Sequence, residues 1–235
     1  MYSDKYEPYD YWSEDVIYDA KEIAALMGIA IDDIFFTGFW SQGDGACFTG
    51  QLGYDKDCLE KVMEYAPNDL ELREIAALWS NLRCPDLSGR VIHTGHYYHS
   101  NSVYYDIEED PEVDEIAVIR TAKRFMDWIY EKLEQAYNFA KADSYVRGYV
   151  ECYEQIVNTQ AAAQLLSSQL AEHSLPPFAM DAVLQRIAEL DSQVTELEVE
   201  MEWLADTFHY FEDIKPLTIQ KYAQMYMGFV FPDEE

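Results

Sequence analysis

The chain has 235 residues, 49% of them hydrophobic and 15% aromatic, which is enough to bury one large or two small cores and argues against global disorder. Its 45 acidic and 16 basic residues give a net charge of −29. That charge disfavours nucleic acid and anionic membranes as partners and speeds encounter with basic proteins. No apolar run approaches the ~20 residues that span a bilayer.

In chain order, residues 1–13 are rich in Tyr, Asp and Glu without periodicity and read as a loosely docked arm. Ser13, Glu14 and Asp15 then supply a cap and dipole-matched acids for a helix whose stripe is Val16, Ile23, Leu26 and Met27, stopping at Gly28. From Ile34 to Ser41 the set Ile34, Phe36, Gly38 and Trp40 alternates with Phe35, Thr37, Phe39 and Ser41, and aromatics in both sets predict a strand covered on both faces. Asp44-Gly45 is read as its tight, positive-φ hairpin turn. Short helices over 56–65 and 68–82 follow, the second capped by Asn68, with Leu59, Val62, Met63, Leu72, Ile75, Ala76 and Trp79 as core positions. Residues 89–108 read as a second hairpin turning at Ser100-Asn101, which sets Tyr97 opposite Tyr104 and His93 opposite Glu108.

Asp106 to Glu115 then places seven carboxylates in ten residues, a loop that must be solvated or partnered. A helix over about 113–140 is expected to bury Ile116, Ile119, Phe125, Ile129, Leu133 and Tyr137, and a second helix over 144–172 follows a change of composition. Beyond Pro176-Pro177, Met180, Val183, Ile187, Leu190, Val194, Leu197, Met201, Leu204, Phe208 and Phe211 occupy alternating a and d positions. This predicts an antiparallel helical hairpin over 143–212, with a homodimer as the alternative use of the stripe, and a flexible tail ending in Pro232-Asp-Glu-Glu235. The fold class is therefore α+β: a small antiparallel sheet of hairpins packed with helices over 1–142, then a coiled-coil hairpin with an acidic tail over 143–235.

No enzyme motif passes its own context test. His93, His96 and His99 cannot share one ion on a regular strand, because His93 and His99 lie about 20 Å apart and His96 faces the other way. Ser41 lacks the first glycine of a nucleophile elbow, and Gly43-Asp-Gly45 meets Phe48 where a dinucleotide loop needs glycine. The acid loop has Pro111 and no glycine where a calcium loop turns. No metal and no cofactor is expected. Cys47, Cys58, Cys84 and Cys152 lack Cys-x-x-Cys spacing and no basic-then-apolar leader follows Met1, so reduced thiols in a cytoplasm are expected.

The runs IDDIFFTGFWSQGDGACFTG (Ile31 to Gly50), HTGHYYH (His93 to His99) and FMDWIYEKLE (Phe125 to Glu134) resemble a family of small proteins encoded by bacteriophages and prophages. The resemblance covers about residues 15–155 and carries no established activity; it implies the cytoplasm of a bacterial host. The leading functional expectation is an inhibitor that occupies the basic nucleic-acid groove of a host restriction or CRISPR effector, since regularly spaced carboxylates compete for a groove built to meet phosphates. Its contact residues are Asp106, Glu108, Glu109, Asp110, Glu112, Asp114 and Glu115, with Glu189, Asp191, Glu196, Glu198, Glu200 and Glu202 as a second stripe. The alternative is an enzyme acting on a nucleotide or other small molecule, with Trp40, Ser41, Gln42, Asp44, His96, Tyr97 and His99 around a pocket between the hairpins. An acidic coiled-coil scaffold is the third reading.

Overall fold

The structure, a computed structural model, describes residues 5–108, 111, 113–172, 176–209, 211 and 218–231. The chain forms two compact units, Tyr11–Tyr137 and a second made of Met1–Asp10 with Asn138–Glu235. Their boundary falls inside one helix.

The first unit carries α1 (Glu14–Leu26), β1 (Ala30–Phe36), β2 (Ala46–Leu52), α2 (Cys58–Tyr65), α3 (Leu70–Ser80), β3 (Gly89–His93), β4 (Val103–Ile107) and the first part of α4 (Glu115–Glu172). The strands form one antiparallel sheet in the order β1-β2-β3-β4, so the fold is α+β as the periodicities indicate. The register puts Ile34, Phe48, Gly50, Val91 and Tyr105 on one face. That face packs on α4, where Phe48 meets the Phe125 ring at 6.3 Å and the Tyr105 hydroxyl lies 3.9 Å from the Met126 sulfur. Among the described residues the other face is covered at the β1–β2 edge, where Cys47 is buried and Phe35 stacks on Tyr98. Across β3 and β4 it is open, with Arg90, Ile92, Tyr104 and Asp106 exposed. Expected burial on both sides therefore holds for part of the sheet.

Two turn readings are corrected. The first hairpin closes through residues 37–45, and the positive φ belongs to Gly43, at 101°, instead of Gly45. Gly45 is required for a different reason: a Cβ there would lie 2.4 Å from the Cβ of His99. In the second hairpin Ile92 faces Tyr104 and His93 faces Val103. A loop over 94–102 replaces the two-residue turn at Ser100-Asn101, shifting the register by five positions in the summed pairing. Hairpins are legible from apolar alternation, whereas register depends on loop length, which that alternation does not encode.

The helix caps differ in detail. Asp69, not Asn68, caps α3: its Oδ1 accepts from the Leu72 amide at 2.9 Å, while its Oδ2 accepts from Trp128 Nε1 at 3.1 Å and pairs with Lys132 at 3.0 Å. Burial pushes this carboxyl upward, but the amide, Lys132 and Trp128 outweigh it and hold the group below its ordinary range. The core gathers Ile23, Ile29, Phe48, Leu72, Ile75, Trp79, Phe125, Met126, Ile129 and Leu133. Ile116, expected on the buried stripe, is 78% exposed, because that stripe begins at Val118.

In place of helices over 113–140 and 144–172, α4 is a single helix of 58 residues. The composition change near residue 142 marks a change of packing partner, not a break in the backbone, for the stretch contains no proline to interrupt the hydrogen-bond ladder.

In the second unit α5 spans Pro177–Phe208 and α6 spans Ile219–Tyr226. Pro176 and Pro177 occupy the N-cap and first turn of α5, where the missing amide hydrogen costs nothing. Tyr145 packs on Trp203, and Ala163 shares a groove with Ile187, so α5 runs antiparallel to this part of α4. The helical hairpin is as read, and Leu190, Val194, Leu204 and Phe208 of the heptad stripe are buried. Met180, at the hairpin end, is exposed. Helix α6 replaces part of the expected flexible tail: Ile219, Tyr222 and Ala223 are buried, and residues 232–235 lie outside the described residues.

Candidate functional site

The three sets of residues singled out in the sequence meet different fates. The loops over 37–45 and 94–102 do come together, with Tyr97 over Gly43 and His99 against Gly45. Their polar groups, however, are engaged by their own backbones. Asp44 Oδ2 accepts from the amides of Trp40 at 3.1 Å and Ser41 at 2.6 Å. His99 Nδ1 accepts from the Asn101 amide at 2.9 Å. These side chains shape the loops, and what the loops present outward is Trp40, Ser41, Gln42, His96 and Tyr97, all exposed. Trp40 stands edge-on to Tyr137 at 5.3 Å, and Phe39 stacks on Tyr130 at 5.4 Å. The result is an aromatic ledge instead of convergent acid, base and nucleophile.

Cys47, Cys58 and Cys152 add no reactive group. Burial pushes Cys47 up to about 11, and it also raises Cys58 and Cys152, which keeps these thiols protonated near neutrality. Among the described residues no group of three His, Cys, Asp or Glu side chains could hold a metal ion.

In the acid loop, Glu109, Asp110 and Glu112 lie outside the described residues. Asp106 is exposed on β4 opposite Arg90 in the ladder, and Glu108 and Glu115 are also exposed. Asp114 has a structural task. Its Oδ1 accepts from the Ala117 amide at 3.1 Å and its carbonyl from the Val118 amide at 3.0 Å, so it is the N-cap of α4.

The acids of α5 divide by helical angle. Asp191, Glu198 and Glu202 follow one flank of the apolar seam, are exposed, and have no basic partner among the described residues. Asp206, missed in the sequence, continues that line and is exposed as well. Their spacings of seven, four and four residues set the carboxylates roughly 10, 6 and 6 Å apart along the axis. Glu189 and Glu196 lie on the other flank, where Glu189 pairs with Arg186 at 3.0 Å.

Glu200 leaves the stripe altogether. It is buried, accepts from the Tyr6 hydroxyl, and pairs with Lys5 at 2.6 Å. Burial pushes its carboxyl upward, but Lys5 and Tyr6 outweigh that and hold it below the usual range. It therefore pins the N-terminal arm and is not a surface contact. The Tyr6 ring lies edge-on to Tyr145 and stacked near Trp203, over Gly148 of α4. A glycine inside an otherwise regular helical pattern was the available signal for this close approach.

A family model, Domain of unknown function (DUF8835), matches residues 12–143, more than half of the chain. The chain belongs to this family. The matched segment nearly coincides with the first compact unit, and the α5 carboxylates lie outside it. No curated protein and no solved structure matches the chain. Among the described residues no helix is long and apolar enough to cross a membrane.

Proposed function

We propose that the protein is a phage-encoded inhibitor that occupies the basic nucleic-acid groove of a host defence protein, with the exposed flank of α5 as its phosphate-like surface. The observation that carries this reading is the line Asp191, Glu198, Glu202 and Asp206 on one helix, without basic partners among the described residues. The 32-residue helix is about 48 Å long and holds these charges in fixed positions, so little ordering entropy is lost on binding. A groove that releases counterions on meeting phosphates gains in the same way from these carboxylates. The resemblance of the Ile31 to Gly50 run to phage proteins supports the choice of a defence nuclease as the target.

The test is competition. Labelled duplex DNA bound to a purified restriction or CRISPR effector should be displaced by the protein. The variant carrying Asp191→Asn, Glu198→Gln, Glu202→Gln and Asp206→Asn should displace it at least tenfold less well with an unchanged melting temperature. Equal potency of variant and parent against an effector that the parent inhibits removes α5 as the interface. The aromatic ledge favours no particular substrate, so the enzyme reading gains nothing specific from the geometry.

A further inference from the structure

The second flank of α5 carries its own line of carboxylates, and the N-terminal arm closes one end of it. Glu189, Glu196 and Glu200 follow each other at spacings of seven and four residues, the same spacings as Asp191, Glu198 and Glu202. Glu189 and Glu196 are exposed, whereas Glu200 is only 8% accessible. Residues 5–7 cover it. Lys5 pairs with its Oε1 at 2.6 Å, the Tyr6 hydroxyl donates to the same oxygen, and Glu7 pairs with Lys141 of α4 at 2.7 Å. Lys5 therefore cancels the charge of the last carboxylate in this line.

The arm is held mainly by side chains. Among the described residues, residues 5–10 share no backbone-to-backbone hydrogen bond with α4 or α5. The Ser144 hydroxyl donates to the Tyr6 carbonyl at 2.9 Å. Of residues 5–10 only Tyr6 is buried, and a cleft of about 250 Å³ runs between the arm and α4, lined by Arg147, Gly148 and Glu151 among others. Such an attachment opens without breaking a helix or a sheet ladder. With Tyr6 withdrawn, the notch at Gly148 becomes a seat bordered by Glu200 and by the rings of Tyr145 and Trp203, which stand edge-on to each other at 5.6 Å.

We propose that the arm is an autoinhibitory strap, displaced when an arginine of the basic partner takes the seat of Lys5 and Tyr6 against Glu200. This rests on the reading of α5 as the helix that meets a basic groove. The strap's own chemistry specifies its competitor. Lys5 supplies a cation and Tyr6 a flat ring, and one guanidinium offers both, pairing with a carboxylate through two parallel donors and stacking on aromatic faces. An ammonium offers the charge alone. An acidic or purely apolar segment would leave Glu200 buried without a partner, which is costly. Once the strap is off, Glu189, Glu196 and Glu200 repeat on this flank the spacing of Asp191, Glu198 and Glu202, and the helix meets the groove along two lines.

A spin label on the arm of the full chain tests this. Tyr9→Cys places a nitroxide at an exposed position, and Cys47, Cys58, Cys84 and Cys152 are buried. Hexa-arginine is the probe and hexa-lysine its control, both at about 0.1 M salt. Hexa-arginine should convert the label to a mobile spectrum, and hexa-lysine should need roughly threefold more peptide for the same conversion, the size of an exposed cation–π contact. In anisotropy titrations of labelled hexa-arginine, Tyr6→Ala should bind roughly threefold more tightly than the parent, because no strap competes, and adding Glu200→Gln should abolish that gain. Lys5→Gln repeats the comparison at an exposed residue and leaves the Gly148 notch filled, so it serves if Tyr6→Ala does not fold. An arm that stays immobile at saturating hexa-arginine overturns the proposal. So do equal release by the two peptides, a folded Lys5→Gln variant without a gain, and a gain that survives Glu200→Gln. No effector enters this assay: an arm that stays docked while an effector is inhibited removes the strap alone, and an arm that moves while no effector is inhibited removes the target and keeps the strap.

Discussion

Gly148 stands inside a 58-residue helix where alanine has the higher intrinsic propensity, by about 1 kcal/mol. Its missing side chain makes room for Tyr6, because a Cβ there would lie 2.1 Å from the Tyr6 ring. Gly148→Ala should therefore destabilise the protein instead of stabilising it, and expel the arm. A thermal melt decides the sign, and a rise in melting temperature would show that Tyr6 does not use this site. The same arm is tied to pH through Glu200. Its folded-state pKa is depressed, so the stabilisation it gives is present above the ordinary glutamate range and is lost as pH falls through that range and below it. Glu200→Gln should lower the melting temperature at neutral pH, with the difference from the parent closing as pH falls below about 4. The sequence placed Glu200 on an acidic surface because its neighbours Glu198 and Glu202 are there. What it could not supply was that Lys5 and Tyr6, nearly 200 residues away, cover that flank of the helix.

At the scale of elements, the parts whose signal is local were legible. Both hairpins, α1, α2, α3 and the antiparallel pairing around Pro176-Pro177 follow from periodicity and proline placement. The errors lie where local signals are neutral. A helix can continue through residues 140–144 or stop there, and only the change of packing partners explains the shift in composition. Loops of nine residues in place of two fixed the strand registers. Asp114 shows how a feature read as functional can be structural: in a run of seven carboxylates it is the one that caps α4. Asp114→Ala should cost about 1 kcal/mol, while Asp114→Asn should cost only a few tenths, since asparagine caps nearly as well. Denaturant melts of the two variants separate a capping role from a purely electrostatic one, in which neutralisation to either residue would act alike.

For the whole molecule the governing quantity is charge, and it acts with opposite sign on folding and on target binding. The solvent-exposed ion pairs, such as Arg124 with Glu74 and Arg186 with Glu189, contribute at most about 1 kcal/mol each. Screening them costs little. Self-repulsion at −29 is spread over the whole surface and opposes the compact state, so relieving it should outweigh that cost. The melting temperature should therefore rise as salt increases from 0.02 to 0.5 M. Displacement of DNA from a basic groove should weaken over the same range, because the attraction between exposed charges is screened over about 10 Å at 0.1 M. Measuring both on one salt series separates the two effects: loss of inhibition while the fold becomes more stable identifies an electrostatic interface. Inhibition that persists undiminished at 0.5 M salt would mean that a target is held by apolar contact, and the exposed Trp40 and Tyr97 ledge would then be the surface to mutate.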